Sequence, residues 1–425
     1  MVFRAKSAGR GAGQSWIREQ PIVAPSPEIL ARQETIGSST WQLELWPLGQ
    51  QILADGLLDG LALKSGGLNP FFTGKFLMAS SGRLGIADSH LLLLVETLNE
   101  SREVRLAMPA GLTAVGIPPV KTLRVASHPF APLSLPLVDT SDLAETCERF
   151  AGLFRKAEAL AARGLVFEDF PHDEASAKVL VEALQRNGLH VARDETSRRA
   201  TLLPGDDPVA GQSAKRRREL TRQHRKLSEL GKVSLTVATD FWDSLVRFEE
   251  FLLLETRGWK GRKGTSIHII RKTAAFARQA VAGFAENGHA SIHTMRVDNQ
   301  AIASLIVLEA DGRYYPWKTA FDEHYRTYSP GTHLMLSASQ WMLQQPGFRF
   351  ADSLAAENGW MDRLWTGRQT METLIVSNSQ KRTSTIRNVL ETNHQLRRVA
   401  KGVLRRDWNS LFPPQAAPSR EIPAE

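Results

Sequence analysis

The stretch that most restricts the fold lies in the second half of the chain, where three short strands follow one another with almost nothing between them. Ala290–Val297, Ala301–Glu309 and Arg313–Ala320 are rich in apolar residues, and only three residues separate each from the next, with turns at Asp298-Asn299 and Asp311-Gly312. Short connections containing Asn, Asp or Gly tolerate the positive φ that tight hairpins demand, so these strands read as an antiparallel meander. Two helices precede it. Thr239 or Asp240 caps the first, with Phe241, Leu245, Phe248 and Leu252 in register; the second follows Thr265, with Ile267, Ile270, Ala274, Ala277, Val281 and Phe284 in register, and stops at Asn287-Gly288. Beyond the meander, Tyr314 to Leu343 reads as strand, loop and helix, and Phe348–Asp352 and Met371–Val376 as further strands.

Two positions in this arrangement point to chemistry. Ser329-Pro330-Gly331-Thr332-His333 opens the helix that follows the third strand: Ser329 suits the N-cap, and Pro330 the first helical position. A helix start draws anions, because unpaired amides and the positive dipole end point the same way. The other position is Glu255, one step further along the register that ends at Leu252. A carboxylate on an apolar face needs a cleft or a partner. It is a candidate general base, or else a partner of Arg257, Lys260 or Lys318.

The first half reads in a similar order, with a helix over 49–63, strands at Leu91–Glu96, Val104–Met108 and Leu123–Val125, a helix from Asp142 to Gly164, a strand at Leu165–Phe170, a helix at Ala175–Asn187 and one or two strands in His190–Leu203. Residues 1–35 lack periodicity and read as a disordered tail, with order beginning near Trp41. The expected division is a first domain over 36–203, a linker and basic helix over 204–232, a second domain over 233–378, and a basic helix with a disordered tail over 379–425. The lone Cys147, on an apolar register, excludes a disulfide framework within the chain and fits a reducing cytoplasm. The eleven histidines show no close ligand spacing, so no metal is expected. No apolar run is long enough for a spanning helix, and the first residues lack the apolar core of a signal peptide.

Charge is concentrated. The net charge is +8, yet Lys215–Lys232 alone carries eight basic residues against two acidic ones, and Lys381–Asp407 does the same. Two basic helices on a slightly acidic remainder suggest an acidic partner, although a solvated face explains such a run equally well. The absence of interleaved aromatics argues against stacking on single-stranded nucleic acid.

Gly258-Trp259-Lys260-Gly261 with Gly264-Thr265, Trp317-Lys318-x-Ala320-Phe321-Asp322-Glu323, Tyr328-Ser329-Pro330-Gly331 and Asp362-Arg363-Leu364-Trp365 together resemble the bacterial FemAB-like, cellulose-biosynthesis-associated acetyltransferases of the GNAT superfamily. The resemblance is dense over 213–378 and faint over 40–200. Arg326-x-x-Ser329-x-Gly331 is a degenerate form of the GNAT loop that holds the pyrophosphate of acyl-CoA, with Pro330 removing one donor amide. It implies an α/β fold of two tandem GNAT-like domains, each a mixed, mostly antiparallel sheet flanked by helices, with the acyl-CoA site in the second.

On this reading the chain is an acyltransferase moving an acetyl or other acyl group from coenzyme A to an amine or hydroxyl of a small-molecule, sugar or cell-envelope precursor. Arg326, Ser329, Gly331, Thr332 and His333 would hold the cofactor. Glu255, Lys318 and Asp322 are the catalytic candidates, with a turn-forming role open for Asp322; Trp259, Lys260, Thr265 and Trp317 would face substrate. A FemAB-like transfer from aminoacyl-tRNA or an acyl carrier protein docked on the basic helices is the alternative, and a non-catalytic nucleic-acid or membrane-surface binding protein the alternative of another class.

Overall fold

The order of strands in one continuous sheet governs everything else in the molecule. The computed structural model describes residues 27–34, 39–48, 56–84, 90–115 and 119–393. The first half contributes β1 (Glu28–Glu34), β2 (Ser39–Pro47), α1 (Leu57–Lys64), α2 (Gly74–Ser80), β3 (His90–Leu98), β4 (Ser101–Val115), β5 (Val120–Val125), β6 (Leu137–Val138), α3 (Leu143–Lys156), α4 (Glu158–Arg163), β7 (Leu165–Pro171), α5 (Ala175–Arg186) and β8 (His190–Leu202). The second contributes α6 (Ala214–Ser228), β9 (Val233–Ala238), α7 (Phe241–Arg257), α8 (Trp259–Arg262), α9 (Arg271–Ala285), β10 (Ala290–Val297), β11 (Gln300–Ala310), β12 (Arg313–Phe321), α10 (Pro330–Leu343), β13 (Phe350–Asp352) and β14 (Gly367–Ser377).

The sheet runs β1-β2-β3-β4-β5-β7-β14-β8-β13-β12-β11-β10-β9, with β6 paired to β4. Leaving β1 aside, the order is the same from either end: β2 answers β9, β3 answers β10, and so inward to β14 and β8. The halves therefore exchange their last strands. β14 pairs antiparallel with β7 of the first half, and β8 with β13 of the second. β8 and β14 pair with each other from Gly367↔Thr201 to Ser377↔His190. One hydrophobic cluster runs without a break from Phe150 and Phe167 in the first half to Phe248 and Phe276 in the second.

The meander forms as its turns dictate. At the β11–β12 turn Asp311 and Gly312 both take positive φ, 48° and 74°, the twist a two-residue hairpin requires. Asp240 caps α7, its carboxylate accepting from the amides of Trp242 and Asp243 at 2.9 and 3.2 Å.

Several expectations need correction. Glu28–Glu34 is a strand, so order begins before Trp41; residues 1–26 and 394–425 lie outside the described residues, as do 49–55 of the expected helix over 49–63. The helix expected after Thr265 starts only at Arg271, because Glu255 holds the Ile267 amide in the preceding loop. The single helix expected from Asp142 to Gly164 breaks at Ala157 into α3 and α4. The strand expected at Val104–Met108 extends through Pro109 and Gly111 to Val115, since β3 pairs with it on one side and β5 and β6 on the other.

Candidate active site

In each half one parallel pair forms only a short contact: Leu123↔Leu165 and Arg124↔Val166 between β5 and β7, Arg313↔Phe350 and Tyr314↔Ala351 between β12 and β13. Past those pairs the strands part, leaving a wedge toward their C-terminal ends. Over the second wedge lies a segment from the first half. Trp317 donates its indole N–H to the Phe130 carbonyl at 2.8 Å, Lys318 Nζ donates to Pro129 at 3.0 Å, and Arg199 Nη1 donates to Pro132 at 3.0 Å.

β12 leads directly to the expected anion site. Asp322 caps the 3₁₀ turn Glu323–Tyr328, accepting from the His324 amide at 3.0 Å and meeting His324 Nδ1 at 2.8 Å. This is the turn-forming role. The chain enters α10 through Ser329 with φ 52° and ψ 48°, and the Ser329 hydroxyl makes no capping bond. Here the structure corrects the expected side-chain cap: a left-handed backbone turn, not the serine oxygen, starts the helix. Gly331 is open, since a Cβ there would come no nearer than 3.7 Å to Phe321. α6 packs beside this turn, with Gln223 Nε2 donating to the Thr327 carbonyl at 3.2 Å and the His224 and His333 rings 5.6 Å apart. Burial pushes His333 down to about 4, and the nearby His224 and Arg216 add to the shift. Arg216 therefore sets positive charge near a helix start whose own amides and dipole favour anions. Arg326 is exposed on the turn, and Thr332 is half-buried in the first turn of α10.

The acceptor-side candidates gather at the end of α7. Glu255 is buried, and both its oxygens are engaged: Lys260 Nζ lies 2.7 Å from one and the Ile267 amide donates to the other at 2.7 Å. Of the alternatives open for Glu255, pairing with Lys260 has its partner in contact. Thr265 closes the intervening loop by donating its backbone N–H to the Lys260 carbonyl at 2.8 Å. Gly261 lies so close to the Thr256 carbonyl, 1.7 Å from where a Cβ would be, that only glycine fits. The side chain of Trp259 lies outside the described residues. Glu255→Ala is expected to cost about 2–4 kcal/mol, because it frees a buried amide and a half-buried ammonium together. An unchanged urea midpoint would remove Glu255 from the fold's support.

Lys318 is half-buried, with its ammonium 4.2 Å from the centre of the Phe130 ring. Burial brings its pKa down to about 8, Lys260 pushing the same way and Glu255 opposing. Trp317 is buried among Phe76, Phe130 and Phe276, so it holds the halves together. In the Asp362-Arg363 motif, Asp362 approaches Arg368 at 3.6 Å, and Trp365 is buried with its indole N–H on Ser339 Oγ at 2.9 Å.

Sequence reasoning did not single out the cleft beside this segment, lined by Pro129, Asp169, Glu195, Arg199, Leu354 and Glu372 among others. Arg199 is buried and joins the halves, bonding Asp352 at 3.0 Å and Asp169 at 3.2 Å. Asp169, Glu195 and Leu354 all take positive φ, conformations unfavourable to residues with a side chain. Burial raises the pKa of Asp169, with Glu168 and Asp352 adding, against Arg199 and the Ser127 hydroxyl. The available signal was Arg199, a charge directly before the apolar end of its strand, and Glu372, a charge within the apolar run of β14.

The fold is α/β, a mixed, mostly antiparallel sheet flanked by helices, in two halves of one plan. Residues 214–361 match the family model described as an acetyltransferase (GNAT) domain. No curated protein sequence matches the chain. Among solved structures it is similar to the C-terminal domain of a putative lysylphosphatidylglycerol synthetase from Agrobacterium fabrum, at 10% identity over 80% of this chain and 95% of that one, with a TM-score of 0.49. FemX is similar at 10% identity over 81% and 99% of the two chains, TM-score 0.48. A tandem GNAT protein from the clavulanic acid biosynthesis pathway is similar at 16% identity over 79% and 98%, TM-score 0.37. Among the described residues no helix is long and apolar enough to cross a membrane, and no three His, Cys, Asp or Glu side chains gather as metal ligands.

Proposed function

We propose that the chain transfers an acyl group, most simply acetyl, from coenzyme A to an amine or hydroxyl of a small-molecule, sugar or cell-envelope precursor. The pyrophosphate of the donor rests on the first amides of α10, at Ser329–His333, and the thioester points back along β12 toward Lys318. The acceptor enters by the cleft of Asp169 and Glu372. Its nitrogen or oxygen attacks the thioester carbonyl carbon, the carbon–sulfur bond breaks, and coenzyme A leaves as a thiolate that takes up a proton. The proton shed by the acceptor passes to water or to the Asp169 carboxylate, whose raised pKa suits it to receive one. Protonated Lys318 polarises the carbonyl.

The observation that carries this reading is the open helix start at the end of β12, with Arg216 near its first turn and Lys318 upstream on the same strand. Gly331→Glu is expected to abolish acetyl-CoA binding in calorimetry, while Gly331→Ala leaves it within a few-fold. The space beside Gly331 admits a Cβ, so the loss would report the added charge and bulk where phosphate sits. Unchanged affinity in Gly331→Glu would place the donor elsewhere.

A second donor class is favoured by the exposed Lys215, Arg218 and Lys226 of α6, which suit an acidic carrier such as an acyl carrier protein or an aminoacyl-tRNA. A thermal-shift series with acetyl-CoA, longer acyl-CoAs, acyl carrier protein and tRNA separates the two, since the true donor raises the melting temperature.

A further inference from the structure

The two ends of the sheet are finished differently. β1 carries Glu28, Arg32 and Glu34, and its register with β2 shifts between Ile29 and Ala31; charges and a broken register both deter pairing with another chain. β9, at the other end, reads Val233-Ser234-Leu235-Thr236-Val237-Ala238, with no charge, no proline and an unshifted ladder to β10. Among the described residues no strand pairs with its outer side. The Asp298 amide donates to the Lys232 carbonyl at 2.8 Å, in step with that ladder. Bonded residues alternate along an antiparallel pair. Ser234, Thr236 and Ala238 therefore turn their backbone groups toward β10, and Val233, Leu235 and Val237 turn theirs outward. The outward residues also show apolar side chains: Leu235 is 46% exposed and Val237 38%, on the sheet face that carries α10.

We propose that β9 is the contact between two copies of this chain, its strands pairing antiparallel about a two-fold axis through Leu235. In that register each outward N–H and C=O of the three residues meets its complement, with Val233 opposite Val237 and Leu235 opposite its own copy. Their side chains join into one apolar stripe across the junction. The register matches charge as well. Exposed Lys232, on the α7 face of the strand, falls beside the end of the second copy's β9, where the exposed Asp240 and Asp243 open α7. A second copy suits this edge because the strand complements itself, so association closes at two. Pairing of β9 with β1 would instead propagate without end, and the charges of β1 oppose it. β10 and β11 stand between β9 and β12, so the contact leaves Lys318 and the start of α10 uncovered in both copies.

A contact built on one strand belongs to the weak, concentration-dependent class, so the test is a dilution series. Sedimentation velocity on the full chain over about 1–100 µM should show the mass rise from one copy to two and stop there. Leu235→Lys sets two ammonium groups against each other at the axis and should weaken the dimer roughly tenfold or more. Leu63→Lys, at an exposed leucine of α1, should leave it unchanged. Both leucines are exposed, so neither variant threatens the fold. Hydrogen exchange needs no substitution: the peptide covering 233–238 should exchange more slowly as concentration rises, while β1 keeps its rate. A mass of one copy throughout the series, or growth beyond two, overturns the proposal. So does a dimer that Leu235→Lys does not weaken, or one whose exchange at 233–238 is unaltered.

Discussion

Arg199→Met should lower the stability of the protein by about 3–5 kcal/mol and its melting temperature by roughly 5–10 °C. Arg199 is only 5% exposed and sits on β8, the strand the first half gives to the second. Its guanidinium answers three acceptors, the carboxylates of Asp352 and Asp169 and the carbonyl of Pro132. Asp352 is 1% exposed, so removing the arginine leaves a carboxylate in the core with, among the described residues, the Leu354 amide at 2.8 Å as its remaining hydrogen bond. The large cost comes from that stranded charge rather than from the lost attraction. The double variant Arg199→Met with Asp352→Asn should therefore recover a substantial part of the loss. Urea denaturation measures both. A single variant as stable as the wild type would show that the junction does not depend on this arginine.

Lys318→Met should lower kcat by about 10²–10³ with the apparent affinity for the acyl donor changed no more than a few-fold, the loss expected when one preorganised group facing developing charge is removed. The ammonium also fixes a pH dependence. With a pKa of about 8, Lys318 loses its proton as pH rises through that value, and the rate should fall on the alkaline side. Lys318→Arg, which stays charged, should move that fall to higher pH. Stability has the opposite sign. Between pH 8 and the unfolded value of 10.5, the unfolded chain holds a proton that the folded chain has released, so raising the pH across this window stabilises the wild type. Lys318→Met should lack that slope and be no less stable at pH 7. A methionine variant retaining more than half of kcat would remove Lys318 from the chemistry.

The local plan of the second half was legible because each element carries its own punctuation. Asp311-Gly312 allowed one hairpin and Asp240 one helix start, and both stand where the residues put them. Strand order was not legible. Leu374, Ile375 and Val376 of β14 announce a buried strand, but nothing in their types says that β7 and β8 flank it. The start of α10 could be read from Ser329-Pro330-Gly331, yet the left-handed serine could not, because serine ordinarily caps with its oxygen. The cleft escaped for a related reason. Asp169, Arg199, Asp352 and Glu372 lie on four different strands, and only their pairing across the exchange brings them together. Glu255 was conspicuous on its apolar register, but the amide of Ile267 as its second partner depends on a loop path with no periodicity to read.

The exchanged strands also decide how the protein can be born. A ribosome finishes β7 at Pro171 but must add roughly 200 further residues before β14 appears, about 10–40 s at ordinary synthesis rates. Throughout that interval β7 presents a bare edge and the seat for Met371, Leu374, Ile375 and Val376 stands empty, each of those side chains worth roughly 1.5–3 kcal/mol once buried. The nascent first half must therefore be guarded or must wait. A gene cut between the halves would yield two products, neither with a complete sheet, each needing the other's final segment. Despite their common plan, a freestanding copy of either half is expected to lack one strand of its sheet.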